Sequence, residues 1–291
     1  MADIQITGDS AWDMPPELLA EGFISVPLTV VLGDKEYLDG VNLTNDDIFA
    51  YFHSTGKTPK TAAIPPALYE ETFSRALKTA GAVIHISLSS PLSACHNNAK
   101  LAAARFRDVY VVDGLTLSCG LALLGLRARD WAREGVPAAE IVARLEKARH
   151  KMQCSFVVDD LEFLHKGGRC GGVARFAASL LRIKPTILMD GSMSVGKKYL
   201  GVNFKTALDK FADDTFARRP HPDLRRVFIT YSTAPADIVD AVREKVTARF
   251  NFEKVYVCHT GGTITSHCGE NTLGIAFLGR WGGRGEVRSG D

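Results

Sequence analysis

Residues 83–99 read VIHISLSSPLSACHNNA, and two kinds of local structure meet inside them. From Ala82 to Leu88 the residues are apolar and partly β-branched, the pattern of a strand buried on both faces. From Leu92 onward small and amphipathic residues predict a helix. Between them lie Ser89, Ser90, Pro91 and Ser93. A turn from a buried strand into a helix leaves backbone N–H groups and hydroxyls at a helix N-terminus, where an anion is favourably held. Such a turn is a pocket for a carboxylate or a phosphate, unless Ser90 or Ser93 does no more than cap the helix.

Outward from this stretch, strands and helices alternate. Ile4–Thr7 predicts a strand ending at Gly8-Asp9-Ser10, followed by a helix opened by Pro15-Pro16. Ser25–Leu32 predicts one apolar strand with Lys35–Leu38 as a short partner, and Thr44 caps a helix carrying Ile48, Phe49 and Phe52. The prolines of Lys57–Pro66 predict a loop, and Ala67–Thr79 an amphipathic helix. Val109–Asp113 is a further buried strand, with helices over Thr116–Arg133 and Pro137–Lys151. This half therefore predicts a mostly parallel, doubly wound sheet with its ligand beyond the carboxyl ends of the strands.

After Gln153 the pattern changes. A strand at Ser155–Val158 and a helical turn at Leu161–His165 lead to the glycine-rich loop Gly167–Gly172 and an apolar helix over Val173–Leu181. A hairpin follows, turning at Asp190-Gly191. Helices over Phe204–Arg218 and Ala236–Phe250 alternate with strands at Val227–Tyr231, Lys254–Cys258 and Thr272–Leu278. The expectation is a two-domain α/β protein: residues 1–152 around a parallel sheet, 153–280 around a mixed sheet, and a flexible Gly- and Arg-rich tail over 281–291.

The 291 residues carry a formal net charge of +2, without a basic footprint for nucleic acid. The opening MADIQITGDS has no charged and apolar leader pattern, and no apolar run reaches the length of a membrane span. A soluble cytoplasmic protein is expected, with at most transient contact at a membrane surface. Six scattered cysteines without a Cys-x-x-Cys pair predict neither a zinc site nor a disulfide framework.

Among the motifs, Gly191–Lys198 falls short of a P-loop, because Lys198 stands where a Ser or Thr would hold magnesium and the segment lies in a hairpin. Gly167–Gly172 lacks the G-x-G-x-x-G order, which leaves close backbone packing as its expected role. His267 lies in a polar, turn-prone segment. As nucleophile and base, Ser93 and His267 would make an esterase or acyl transferase, although the sequence displays neither an orienting acid nor an oxyanion hole.

Several segments taken together resemble the DegV family of bacterial fatty-acid-binding proteins, the acyl-carrying subunits of fatty acid kinases. They are Gly8–Pro15, Val26-Pro27-Leu28, Tyr37–Gly40, Ser89–Ser93, Leu161–Arg169, Ile183-Lys184-Pro185 and Ser266–Gly269, and the likeness runs from about Ile4 to Phe277. The resemblance implies a non-catalytic, two-domain α/β protein that holds one long-chain fatty acid and needs no cofactor or metal. The carboxylate would sit at the domain interface, the tail in an apolar tunnel of the second domain, and a partner kinase catalytic subunit would phosphorylate the bound acid. By that resemblance Thr61 and Ser93 bind the carboxylate and His267 joins their network, and Ser90, at the same helix head as Ser93, is expected to bind it as well. Phe163, Leu164, Phe176, Leu180, Ile183 and Phe277 are expected either as tunnel wall or as ordinary core. The chain departs from the family pattern at Gly8, at Ala62-Ala63-Ile64 after Thr61, at Ala94-Cys95 after Ser93, and at Gly114.

Overall fold

The computed structural model describes residues 3–173 and 183–280. The first half runs β1 (Ile4–Asp9), α1 (Pro16–Leu19), β2 (Ile24–Val26), β3 (Thr29–Leu32), β4 (Lys35–Leu38), α2 (Asn45–Thr55), β5 (Lys60–Ala62), α3 (Pro66–Ala76), β6 (Ala82–Ser87), α4 (Cys95–Ala103), β7 (Val109–Asp113), α5 (Cys119–Arg133) and α6 (Ala138–Ala148). The second half follows with β8 (Met152–Val158), α7 (Glu162–Gly167), β9 (Ile183–Asp190), β10 (Ser192–Leu200), α8 (Phe204–Arg218), β11 (Pro222–Tyr231), α9 (Ala236–Arg249), β12 (Lys254–His259), α10 (Gly262–Cys268) and β13 (Thr272–Gly279).

The first sheet is parallel throughout, in the order β2-β1-β6-β7. Every residue of β6 is buried, and helices cover both faces. His85 meets the rings of Tyr69 and Phe73 from α3 on one face. On the other, Trp12 lies against Gly8 and Gly125 of α5. A Cβ at Gly8 would come within 2.2 Å of the Trp12 ring, so the glycine makes room for the tryptophan.

The second sheet is mixed, in the order β10-β9-β8-β13-β11-β12, with β11 and β12 parallel and the other neighbours antiparallel. Phe211, Phe216 and Phe277 belong to the core between one face of this sheet and the helices α8 and α9. The opposite face meets α5, which also touches β1. Every residue of α5 from Cys119 to Ala128 is buried, as expected of a helix walled on all sides. Arg226 of β11 adds a bidentate ion pair to Asp130 of α5, at 2.5 and 2.8 Å.

Three local expectations are corrected. The run Ser25–Leu32 is not one strand: it divides at Pro27, which has no N–H to give a ladder, and β3 leaves to pair with β4 and β5 in a small antiparallel sheet. Part of the expected Lys57–Pro66 loop is β5. The polar segment around His267 is the helix α10. The helix expected over Val173–Leu181 and the tail 281–291 lie outside the described residues, apart from Val173.

Phe277 is fully buried and stacks on Phe216 with ring centroids 5.0 Å apart. Phe277→Ala is expected to cost about 3–5 kcal/mol in urea denaturation, the usual range for a large ring deleted from a packed core. A loss below about 1 kcal/mol would contradict this packing.

Candidate functional site

A cavity of about 250 Å³ lies on the face of the second sheet turned toward α5. Its walls come from β5, the loop from β6 to α4, the start of α5, the helix α10 and strands β8 and β13. Most lining side chains are apolar, among them Leu28, Leu88, Leu92, Leu117, Phe156 and Ile264. Thr61, Ser93 and His267, taken from three distant parts of the sequence, line it together.

Buried acidic groups near the end of β1 position these walls. Asp9 accepts the Leu88 N–H at 2.7 Å and the Tyr69 hydroxyl at 2.6 Å, with His85 Nε2 3.1 Å away, which fixes the start of the β6–α4 loop. Asp13 accepts the Gly261 N–H at 2.8 Å, and Asp39 the Gly262 N–H at 2.7 Å. These bonds hold the first turn of α10, a short helix of weak helix formers, at the place where its amides lack partners of their own. Asp13 also accepts the Ser118 hydroxyl at 2.5 Å, and Asp39 that of Ser10 at 2.8 Å. Burial pushes the Asp13 carboxyl up to about 8, reinforced by the charge of Asp39, while the bonds from Ser118 and Gly261 pull the other way. The sequence reading placed Asp9 at a strand end facing the ligand but did not single out Asp13 or Asp39, which follow the ends of β1 and β4, where an acidic side chain meets free loop amides.

His267 Nε2 lies 2.8 Å from Thr61 Oγ1. The other ring nitrogen, Nδ1, is buried without a hydrogen-bond partner among the described residues and faces Gly167, where a Cβ would sit 2.6 Å from it. Gly167 thus admits the imidazole, the close packing expected of the glycine-rich loop. Burial drives the ring down to about 4, and the positive charge of Arg169 adds to the effect, so His267 is neutral near pH 7. Arg169 also lines the cavity and donates to the Gly167 carbonyl at 2.8 Å.

Ser93 Oγ accepts the Cys95 N–H at 3.2 Å and lies 3.1 Å from Cys95 Sγ as donor. It therefore satisfies the first free amide of α4, from just before the Ala94 cap position, while lining the cavity. Burial pushes the Cys95 thiol up to about 11. Ala62, Ala63 and Ala94, where the family pattern departs, present small apolar surface to the cavity. His267 Nε2 pairs with Thr61, and among the described residues its Nδ1 has no carboxylate partner of the kind that orients a catalytic histidine.

The other expected residues are distributed differently. Ser90 is exposed outside the cavity, with its N–H on Asp113 at 3.2 Å, because the inward position of this turn belongs to Ser89, whose hydroxyl donates to the Gly191 carbonyl. Leu164 lines the cavity. Its neighbour Phe163 points away and packs on Phe52, ring centroids 4.7 Å apart. Ile183 begins β9, paired with Leu200 at the sheet margin. Phe277 faces α8 and α9, since alternation along β13 gives the cavity side to Ala276. Phe176 and Leu180 lie outside the described residues. Among the described residues no cluster of three or more His, Cys, Asp or Glu could hold a metal ion, and no helix is long and apolar enough to cross a membrane.

Comparison with known proteins matches residues 3–280 to the model of the DegV family, described as uncharacterised proteins. A DegV domain-containing protein of Deinococcus radiodurans is 32% identical over 280 residues, covering 94% of this chain and 98% of the relative. The solved structure of a DegV family protein from Thermus thermophilus, described for its fatty acid binding, superposes with a TM-score of 0.88 at 30% identity, covering 96% of this chain and 100% of that one. The Fatty Acid Kinase (Fak) B3 protein of Streptococcus pneumoniae, crystallised with linoleic acid, shares the fold with a TM-score of 0.81 at 21% identity, over 95% and 99% of the two chains. With its family model matched over nearly its whole length and its two sheets arranged as in these structures, the chain belongs to the DegV family.

Proposed function

We propose that the chain holds one long-chain fatty acid and presents it to a partner kinase for conversion to an acyl phosphate. The observation that carries this reading is the convergence of Thr61, Ser93 and His267 on one largely apolar cavity. The fatty acid bound by the Thermus thermophilus relative supports the ligand class, and the Fak B3 protein, a fold relative, supports the kinase.

The carboxylate would lie against the two hydroxyls. With Nδ1 unpartnered, the ring proton is best placed on Nε2, since an orphaned buried N–H is costlier than an orphaned lone pair. Nε2–H then donates to Thr61 Oγ1, which leaves the Thr61 hydroxyl proton free to donate to a carboxylate oxygen. Ser93 can supply a second O–H by turning its proton from the weak acceptor Cys95 Sγ to the carboxylate, so an anion is held without a buried cation. Arg169, at the cavity wall, is placed to favour negative charge on the head group. The tail contributes affinity: each buried methylene adds about 0.8 kcal/mol, and a chain of roughly 15 adds on the order of 12 kcal/mol before association costs. In the kinase step the carboxylate oxygen would attack the terminal phosphorus of ATP, releasing ADP and leaving the acyl phosphate on the carrier.

Native mass spectrometry of the purified protein is expected to show a long-chain acid, and stripped protein to take up palmitate. A clean apo mass together with no uptake would refute the reading. Replacing Thr61 by Val and Ser93 by Ala together is expected to weaken palmitate binding by about 3 kcal/mol, roughly 150-fold, as two charge-assisted hydrogen bonds imply. Unchanged affinity would remove both residues from the head-group site.

The neutral His267 ring also sets a pH dependence. Its folded value of about 4 lies below the ordinary 6.5, so the unfolded chain takes up the proton first as pH falls. The associated stability is complete above about pH 6.5 and is lost progressively toward pH 4, up to about 3 kcal/mol. Urea denaturation across this window is expected to show that slope in the wild type and a shallower one in His267→Gln. Identical slopes would mean that the ring is protonated in the fold.

A further inference from the structure

β13 runs through the middle of the second sheet, flanked by β8 and β11. Leu273, Ile275 and Phe277 belong to the core under α8 and α9. On the cavity side the strand offers Thr272, Gly274 and Ala276. Phe156 on β8 and Thr230 on β11 stand directly opposite Gly274, and all three line the cavity.

A glycine in a central strand weakens the strand, and it usually marks a bulge or a close approach by another group. Neither bulge nor conformational need applies here. Pairing with β8 and β11 is in regular register through Gly274, and the residue is not among the glycines with positive φ. The adjacent strand does come close: a Cβ placed there would stand 3.1 Å from the Ser155 carbonyl oxygen and from the Phe156 Cβ, so the glycine lets β8 approach. Gly274 is also the one residue between Thr272 and Leu278 that is not buried. It also leaves the cavity wall at this point without a side chain, and the residue is partly exposed there.

We infer that Gly274 sets the bore of the cavity: the acyl chain passes over it, and the bare backbone there, continued by the methyl of Ala276, determines the longest acid admitted. This rests on the fatty-acid reading above. The head-group residues would then select a carboxylate whatever its tail, while β13 selects for length.

The test is titration calorimetry of wild type, Gly274→Val and Ala276→Val with straight-chain saturated acids from octanoic to hexadecanoic. Two variants at separate positions guard against a folding defect in one, and thermal melts of each report on folding directly. The ratio of variant to wild-type Kd is expected to grow with acid length, by about fourfold for each methylene kept out of the cavity. A ratio that is the same at every length, or equal to one throughout, overturns the inference while leaving the fatty-acid reading in place. Failure of the wild type to bind any acid of the series overturns both.

Discussion

Three buried acidic side chains, Asp9 and Asp13 at and just beyond the end of β1 and Asp39 after β4, are the constraint on which the rest of the site depends. Asp9 holds the turn that delivers Ser93, and Asp13, together with Asp39, holds the turn that starts α10 and so delivers His267. An acidic side chain taken from water, charged or neutral, is costly unless its oxygens find hydrogen-bond partners. Here the donors are backbone amides of loops far away in sequence. Meeting the hydrogen-bonding needs of these acids and assembling the site are therefore one event: without the loops the acids lack donors, and without the acids the loops lack anchors.

The same economy explains why the site combines a polar head with an oily body. The first sheet ends in loops rich in hydroxyls and free amides, as parallel sheets do at their carboxyl edge. The second sheet presents small and apolar residues on the face turned toward them. Where the two meet, a hydroxyl pair and a neutral imidazole border an apolar space. Such a boundary matches an amphiphile better than it matches a fully polar substrate.

Much of the fold was legible in the sequence because it is written in local patterns. The largely apolar run of β6 announced a doubly covered parallel strand, and the Ser-rich turn after it announced a helix head, which here borders the cavity. The elements that escaped are those held by distant partners. α10 consists of Gly, Thr, Ile, Ser, His and Cys, which do not favour a helix in isolation; its first turn is stabilised by Asp13 and Asp39, more than two hundred positions earlier in the chain. β5 is three residues long and exists only through its pairing with β3. Within the site, Thr61, Ser93 and His267 were reached through motif resemblance, but a turn does not reveal by composition which serine points inward, and Ser89 rather than Ser90 is the buried one. Phe277 shows the converse: hydrophobicity marked it as interior, while only the phase of the strand tells which interior.

The surroundings of α5 bear on how the molecule holds together as a whole. Ten successive residues of this helix, Cys119–Ala128, are hidden between the two sheets, so each sheet forms part of the other's shelter. Prising the halves apart would bare an oily rod and break the Arg226–Asp130 clasp as well. The two lobes are consequently expected to melt together as a single cooperative body, with neither standing alone if excised.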